Sequence, residues 1–185
     1  MKQHKDQMAN RLTKIYTRTG DAGETGMADG SRIAKDDLLI HVQGDVDELN
    51  SVIGVLATKL DGAELSSVRK IQHVLFDIGG EISLGQAIVS QEKITALEEH
   101  LDRYNETLKP LKEFILPGGN EAGAFCHLAR TVCRRVERRM VALNRSRKLN
   151  TFTLAYINRL SDFLFVFSRV LNEGEEIYWN SERNK

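Results

Sequence analysis

The clearest structural signal in the sequence is the stretch AFCHLARTVCRRVERRMVAL, residues 124–143. Its apolar residues recur every three or four positions, which is the period of one face of an α-helix. They are Phe125, Leu128, Val132, Val136, Met140 and Leu143. The pattern predicts an amphipathic helix over about residues 120–144, with its arginines on the side away from the apolar stripe.

The same period occurs in four other segments, at about residues 45–60, 64–85, 91–108 and 150–172. The first of them opens with Asp45 and Glu48, which form an acidic variant of the capping box. Five such segments predict an all-α fold, a five-helix up-and-down bundle. The Gly- and Thr-rich region before Asp45 has no helical stripe and is expected to be a loop.

The composition argues against several classes of protein. Lys plus Arg and Asp plus Glu number 26 each, so the net charge is zero, and neither nucleic acid nor a membrane is an expected partner. No signal peptide or membrane-spanning run is recognisable, which favours a cytoplasmic protein. Cys126 and Cys133 lie about 10 Å apart along one predicted helix, too far for a disulfide. We expect one domain, residues 1–185, with residues 1–11 as a disordered extension.

A candidate anion site precedes the helices, in TRTGDAGETG (residues 17–26), followed by Arg32 and Lys35. Glycines let backbone N–H groups turn toward an anion, threonines add hydroxyl donors, and Arg and Lys add positive charge. The loop therefore suits a phosphate, although it is not a Walker A motif because no Gly-Lys-Ser/Thr sequence follows. An ordinary turn-rich loop explains the composition equally well.

A second candidate site is the basic side of the predicted fourth helix. Arg130, Arg134 and Arg138 are four residues apart, and Glu137 is the only acid among residues 129–139. Like charges at this spacing repel each other. A bound anion or an acidic partner would relieve the repulsion, and arginine suits bidentate capture of phosphate or carboxylate. A solvated basic face is the alternative.

A third candidate is the polar side of the first predicted helix, which carries Asp47, Ser51, Gly54 and Thr58. Small residues let another helix approach closely, and a lone acid among them favours a cationic partner, so this side predicts an interface. An exposed polar surface is an equally good explanation, because small polar residues are ordinary surface residues.

Other potentially reactive residues have a simpler interpretation. Phe114, in EFILPGG (residues 113–119), is more typical of a core side chain than of a ligand contact. Cys126, Cys133 and His127 are expected to be core residues for the same reason.

Several enzyme chemistries lack their motifs. A di-iron site in a helical bundle needs Glu-x-x-His on two helices, and none of the five histidines has a glutamate three residues before it. H-E-x-x-H, C-x-x-C and G-x-S-x-G are absent as well. A zinc hydrolase, a thiol oxidoreductase or an α/β-hydrolase is therefore not expected, and no metal ligands are predicted.

Six motifs follow one another along the chain: KIYTRTGDAGETG (14–26), KDD (35–37), VDELNS (46–51), FILPGG (114–119), RTVCRRVERR (130–139) and NRLSD (158–162). Together they resemble the PduO-type ATP:cob(I)alamin adenosyltransferase family. The resemblance implies transfer of the 5′-deoxyadenosyl group of ATP to Co(I) of a reduced corrinoid, giving adenosylcobalamin and triphosphate. It also implies a homotrimer of five-helix bundles that binds ATP between subunits.

The resemblance assigns roles to individual residues. It implies an ATP site made of Thr17, Arg18, Thr19, Gly20, Thr25, Gly26, Lys35, Arg134, Arg135, Glu137, Arg138 and Asn158. Four residues are implied to be catalytic, namely Phe114, Asp47, Arg134 and Arg138. Asp47 is expected to pair with Arg134 across the subunit boundary, and Phe114 to fill the lower axial side of the corrin.

The resemblance also implies ATP, Mg²⁺ and cob(I)alamin as cofactor and substrates, and a flavoprotein reductase and an adenosylcobalamin-dependent enzyme as protein partners. The chain departs from the family at Arg18, where many relatives have lysine, in residues 27–31, and in residues 41–44. Two other functions stay open: a helical module that binds an acidic partner through the arginine face, and a different ATP-dependent transferase.

Overall fold

The computed structural model describes residues 16–180 and confirms the predicted helical bundle. Its elements in that range are β1 Glu24–Gly26, β2 Arg32–Ala34, α1 Leu38–Ala57, α2 Gly62–Leu84, α3 Gln91–Glu106, α4 Glu121–Ser146 and α5 Thr151–Leu171. Helix α1 packs against α2 and α4, and α5 packs against α3 and α4. The predicted extension at residues 1–11 lies outside the described residues.

Helix α1 begins earlier than predicted, at Leu38 instead of about residue 45. Its N-cap is Asp37, whose side chain accepts a hydrogen bond from the Leu39 backbone N–H at 2.8 Å. The prediction that Asp45 and Glu48 cap this helix was therefore wrong, since both lie inside it. Leu39 is 1% exposed and continues the apolar stripe, so burial extends the helix toward the loop.

The core is formed by apolar stripes that face each other across the bundle. Helix α1 contributes Leu39, Val42, Val46, Leu49, Ile53 and Leu56, all 3% exposed or less. The main buried residues of the last two helices are Ala129, Val136, Met140, Ile157, Leu160, Phe163, Leu164 and Phe167. At about 1.5–3 kcal/mol for each large apolar side chain removed from water, these contacts dominate the stability of the bundle.

Cys126, Cys133, His127 and Phe114 were all expected to be core residues. This prediction is confirmed for the first three and wrong for Phe114. Cys126 and Cys133 are buried and free, and burial raises the pKa of each thiol. His127 is 3% exposed, and burial lowers its pKa. Phe114, in contrast, is 77% exposed, so it does not stabilise the core.

The end of the bundle at the α2–α3 and α4–α5 connections is organised by the buried carboxylate of Glu81. It accepts hydrogen bonds from the backbone N–H groups of Ile88 and Val89 and from the side chains of Asn150 and Thr153. Burial alone raises the pKa of Glu81, but these four donors outweigh it, and the pKa lies below its ordinary value.

Candidate functional site

The loop before α1 folds into a β-hairpin, which the sequence analysis did not predict. Strands β1 and β2 are antiparallel, with Thr25 opposite Ile33 and Gly26 opposite Arg32. Arg32 fastens the hairpin to the preceding turn, because its Nη2 donates to the Thr19 carbonyl at 2.7 Å and its Nε to Glu24 Oε2 at 3.2 Å. The charge of Arg32 therefore has a partner inside the loop.

The hairpin brings several of the expected ATP-binding residues together. The hydroxyls of Thr17 and Thr19 are 2.9 Å apart. Gly20 lies against the Lys35 side chain, since a Cβ added at Gly20 would be 3.2 Å from Lys35 Nζ. Arg18, between Thr17 and Thr19, has a positive φ of 61°. This conformation is uncommon in a residue with a side chain and needs support from the surrounding turn. Hydroxyls and an ammonium group thus share one small, exposed turn.

Helix α4 presents its arginines to two different environments. Arg135 forms an ion pair with Glu48 and lies 3.5 Å from Asp45 Oδ1 through its Nε. Arg139 Nη1 lies 3.2 Å from Asp45 Oδ2. The Asp45 side chain is only 9% exposed, so these contacts fix α1 to α4 in a region with little solvent.

Arg134 and Arg138 have no acidic partner among residues 16–180. Both are exposed, and Arg138 Nη1 donates to the Arg134 carbonyl at 3.1 Å. Beside them, Asn158 Nδ2 on α5 donates to Glu137 Oε1 at 2.9 Å. This surface, formed by Arg134, Glu137, Arg138 and Asn158, is called the basic face below. It offers two guanidinium groups that have no acidic partner among residues 16–180, and a polar contact between α4 and α5.

The row of arginines continues toward the core at Arg130, whose Nε is buried without a hydrogen-bond partner within the described range. Burial first, and then repulsion from Arg134, lowers the pKa of Arg130. Arg130 and Arg134 border a cavity of about 300 Å³ with Asp162 and Phe165. Arg130 and Arg134 are therefore close enough on this side of the helix for their charges to repel each other.

Phe114 stands apart from the hairpin and from the basic face. Its backbone pairs with the chain after α5: Trp179 N donates to the Phe114 carbonyl at 2.7 Å, and Leu116 N to the Ile177 carbonyl at 2.8 Å. The rings of Phe114 and Trp179 meet edge to face with centroids 6.3 Å apart. Both rings are exposed, and together they form an apolar surface. The signal for it was the apolar run IYW in a polar tail.

The polar side of α1 is only partly free. Asp47 and Ser51 are exposed, and Asp47 makes no ion pair within the part of the chain that the structure describes. Gly54, however, is approached by Gln72 of α2, whose Nε2 would lie 3.2 Å from an added Cβ. The close approach predicted at this glycine therefore occurs within the chain, between α1 and α2.

Known proteins that resemble this chain belong to one family. Residues 15–171 match the family model described as Cobalamin adenosyltransferase. The chain belongs to the cobalamin adenosyltransferase family. A cobalamin adenosyltransferase from Cupriavidus metallidurans is 50% identical over 182 residues, covering 95% of this chain and 99% of its own. A corrinoid adenosyltransferase from Bacillus subtilis is 41% identical over 168 residues, covering 86% of each chain.

Solved members of the cobalamin adenosyltransferase family share the fold. A phenylalanine-to-histidine variant of the PduO-type ATP:corrinoid adenosyltransferase from Lactobacillus reuteri, complexed with cobalamin and ATP, superposes with a TM-score of 0.86. It is 32% identical and covers 91% of this chain and 97% of its own. An arginine-to-lysine variant of the same enzyme, complexed with ATP, gives a TM-score of 0.84 at 33% identity, covering 90% of this chain and all of its own.

Between residues 16 and 180, no helix combines the length and the apolar character needed to cross a membrane. Over the same residues, no three His, Cys, Asp or Glu side chains are grouped so that they could hold a metal ion.

Proposed function

We propose that this chain transfers the 5′-deoxyadenosyl group of ATP to Co(I) of a reduced corrinoid, giving adenosylcobalamin and triphosphate. The observation that carries the proposal is the basic face, where Arg134 and Arg138 are exposed without an acidic partner among residues 16–180. Free guanidinium groups suit a triphosphate, whose negative charge grows as it leaves. The relatives support the choice, since they are named corrinoid adenosyltransferases and a solved one binds cobalamin and ATP.

The ATP site combines the hairpin with the basic face. The hairpin and the residues that flank it supply Thr17, Arg18, Thr19, Gly20, Thr25, Gly26 and Lys35. The basic face supplies Arg134, Glu137, Arg138 and Asn158. Arg135 is the exception to the set implied by the resemblance. Its guanidinium is engaged by Glu48 and Asp45, and we assign it to the packing of α1 on α4.

The two halves of this site belong to different subunits of a homotrimer. Within one chain, no hydrogen bond or ion pair of residues 16–180 joins the hairpin to Arg134 or Arg138. A second copy brings the missing half, and Asp47 on the exposed side of α1 supplies the carboxylate for Arg134. An interface pair of this kind couples assembly to ATP binding.

The reaction is a nucleophilic substitution. The electron pair of Co(I) attacks C5′ of ATP, a Co–C bond forms, the C5′–O bond breaks, and the triphosphate leaves with the bonding electrons. The protein aligns the cobalt with C5′ and stabilises the leaving charge with Arg138 and Lys35. A Mg²⁺ ion supplied with ATP would add positive charge beside Arg138 and Lys35.

Phe114 acts before the transfer. An exposed phenyl ring offers an apolar surface that water solvates poorly, and we propose that it occupies the lower axial side of the corrin in place of the nucleotide ligand. Removing a donor ligand from Co(II) lowers the energy of the orbital that accepts the electron, so reduction to Co(I) becomes easier. The reaction takes place in the cytoplasm, with a flavoprotein reductase as electron donor and an adenosylcobalamin-dependent enzyme as recipient.

Anaerobic incubation with ATP, Mg²⁺ and chemically reduced cob(I)alamin, protected from light, tests the proposal. We expect adenosylcobalamin and triphosphate in equal amounts, followed by absorbance and by chromatography of the nucleotide products. A reaction without ATP is the control. Release of ADP and phosphate would favour a different ATP-dependent transferase, and the absence of any ATP-dependent product would favour the helical interaction module.

A further inference from the structure

A buried ion pair lies at the end of the bundle that carries Phe114. Arg169, in the last turn of α5, donates through Nε to Glu176 Oε1 at 2.6 Å, and the two side chains are 7% and 5% exposed. Burying two charges costs desolvation energy, which is recovered only with close geometry and additional hydrogen bonds. The pair therefore places a strict constraint on where Glu176 lies.

The additional hydrogen bond goes to the connection that contains Phe114. Arg169 Nη2 donates to the Lys109 carbonyl at 2.8 Å, and Lys109 lies near the start of the segment between α3 and α4, residues 107–120. One guanidinium thus joins α5, the chain after α5, and the α3–α4 connection.

The other end of the same connection is fixed by Asn172, which follows α5. Its Oδ1 accepts from the Asn120 backbone N–H at 3.0 Å, and its Nδ2 donates to the Gly118 carbonyl at 2.9 Å. The approach is so close that a Cβ on Gly119 or Gly123 would lie 2.2 or 2.0 Å from Asn172 Oδ1. Both ends of the Phe114 connection are consequently attached to the end of α5.

Between these two attachments, the backbone of Phe114 is held by residues 177–179, which follow Glu176 directly and pair with residues 114–116 through one isolated β-bridge. This short extended segment, residues 177–179, is called the strand below. The backbone bonds from Trp179 to Phe114 and from Leu116 to Ile177 fix the register of this pairing. The Phe114 ring is 77% exposed, and Trp179 is the aromatic neighbour at its edge. The position of the ring thus depends on a strand whose own position depends on Glu176.

We propose that the Arg169–Glu176 ion pair positions Phe114 for the corrinoid reaction by holding the strand of residues 177–179 against residues 114–116. This inference rests on the proposed function, in which the Phe114 ring displaces the lower axial ligand of cob(II)alamin. Arg169 and Glu176 are positioning residues: they do not touch the corrinoid, and they act through the backbone of the strand.

The principal test is Glu176→Gln, with Asp77→Asn as a control at a second, more exposed ion pair, whose side chains are 38% and 32% exposed. Asp77 also forms an ion pair between two elements, with Lys93 at 2.5 Å, but on α2 and α3, apart from the Phe114 connection. The readout is the electron paramagnetic resonance of cob(II)alamin bound with ATP. A coordinated nitrogen splits the cobalt signal, and the splitting disappears when the lower ligand is displaced.

We expect Glu176→Gln to lose most of the ligand-displaced species and to slow adenosylation from cob(II)alamin by ~10-fold to ~100-fold, the scale of a small misplacement of a reacting group. With preformed cob(I)alamin, which needs no ligand displacement, the loss should be at most about threefold, and the KM for ATP should not change. Asp77→Asn should resemble the wild type in every readout. An unchanged displaced fraction in folded Glu176→Gln would overturn the inference.

A second pair of variants keeps the test valid if Glu176→Gln does not fold. Trp179→Pro and Trp179→Ala both remove the indole, but only proline also removes the N–H that donates to Phe114. We expect the proline variant to lose clearly more ligand displacement than the alanine variant, and equal effects would count against positioning by the strand. Failure of the wild type to displace the ligand or to form adenosylcobalamin would instead refute the proposed function.

Discussion

Two neighbouring sides of α4 use the same side chain for different purposes. Arg135 and Arg139 turn toward α1, where Asp45 and Glu48 accept their charge. Arg134 and Arg138, the first residue of each Arg-Arg doublet, lie on the basic face and form no ion pair with an acid among residues 16–180. Successive residues on a helix are rotated by about 100°, so each Arg-Arg doublet places one guanidinium on each side.

The comparison shows what distinguishes a structural arginine from one that is free to bind. Arg134, Arg135, Arg138 and Arg139 carry the same charge on one helix. The positions of the acids on α1 decide which of them form ion pairs. Asp45 and Glu48 point to α4 of the same chain, whereas Asp47 lies on the exposed side of α1. Arg135 and Arg139, on the inner side of α4, are neutralised on folding. Arg134 and Arg138, on its outer side, keep their charge free for a ligand or a second subunit.

The largest expected effect concerns the outer side. If Asp47 and Arg134 pair across the subunit boundary, removing either one leaves a desolvated charge without its partner, which costs about 3–5 kcal/mol. We expect Asp47→Ala and Arg134→Ala each to weaken ATP binding or trimer formation, and the double variant to lose less than the sum of both. Sedimentation reports the oligomer, and calorimetry the ATP affinity.

Ser51→Ala is the control for this cycle, because Ser51 is exposed on the same side of α1 and carries no charge. Its effect should stay within about 0.5 kcal/mol. Strictly additive losses, or a monomeric wild type, would contradict the intersubunit pair and leave Arg134 with a purely phosphate-facing role.

The second effect concerns Arg138. A charge-assisted contact to phosphate contributes about 1.5–3 kcal/mol, so Arg138→Ala should lower kcat/KM by roughly 10-fold to 150-fold at that scale. Steady-state kinetics with preformed cob(I)alamin measures the loss. Arg145→Ala, at an exposed arginine in the last turn of α4, is the control and should change kcat/KM little. Near-normal kinetics in Arg138→Ala would remove Arg138 from the ATP site.

Helical periodicity predicted the existence of all five helices, because burial of one apolar stripe per helix is a local property of the sequence. The start of α1 was missed since the apolar stripe upstream of Asp45 is interrupted by polar residues and Gly44, and tertiary burial of Leu39 and Val42 compensates for them. The hairpin was missed because its strands, Glu24–Gly26 and Arg32–Ala34, are too short for an alternating pattern.

The residue types of the candidate site are visible in the sequence, but the pairing of its residues is not. The arginine row and the glycine-rich loop stand out in the sequence, and the resemblance named their residues. No local pattern states that Arg135 meets Glu48, which is 87 residues away, or that Ile115 pairs with Tyr178. Such long-range pairings depend on how the helices pack, and they separate the structural residues from the binding ones.

The smallest expected effect concerns Arg135, on the side of α4 that packs on α1. It tests directly whether Arg135 differs in role from Arg134 and Arg138. The side chains of Arg135 and Glu48 are 35% and 50% exposed, so solvent screens their ion pair, and its loss should cost about 1 kcal/mol or less. The hydrogen bond to Glu48 raises the pKa of Arg135, so its guanidinium keeps its charge. Arg135→Ala should therefore lower the urea midpoint slightly while ATP affinity stays within about twofold of the wild type, a change below ~0.5 kcal/mol. Glu48→Ala breaks the same contact from the α1 side and should cost no more than Arg135→Ala, which also loses the approach of Arg135 to Asp45. If Arg135→Ala instead weakens ATP binding as strongly as Arg138→Ala, the Arg135 guanidinium leaves Glu48 for the nucleotide, and the inner side of α4 belongs to the ATP site as well.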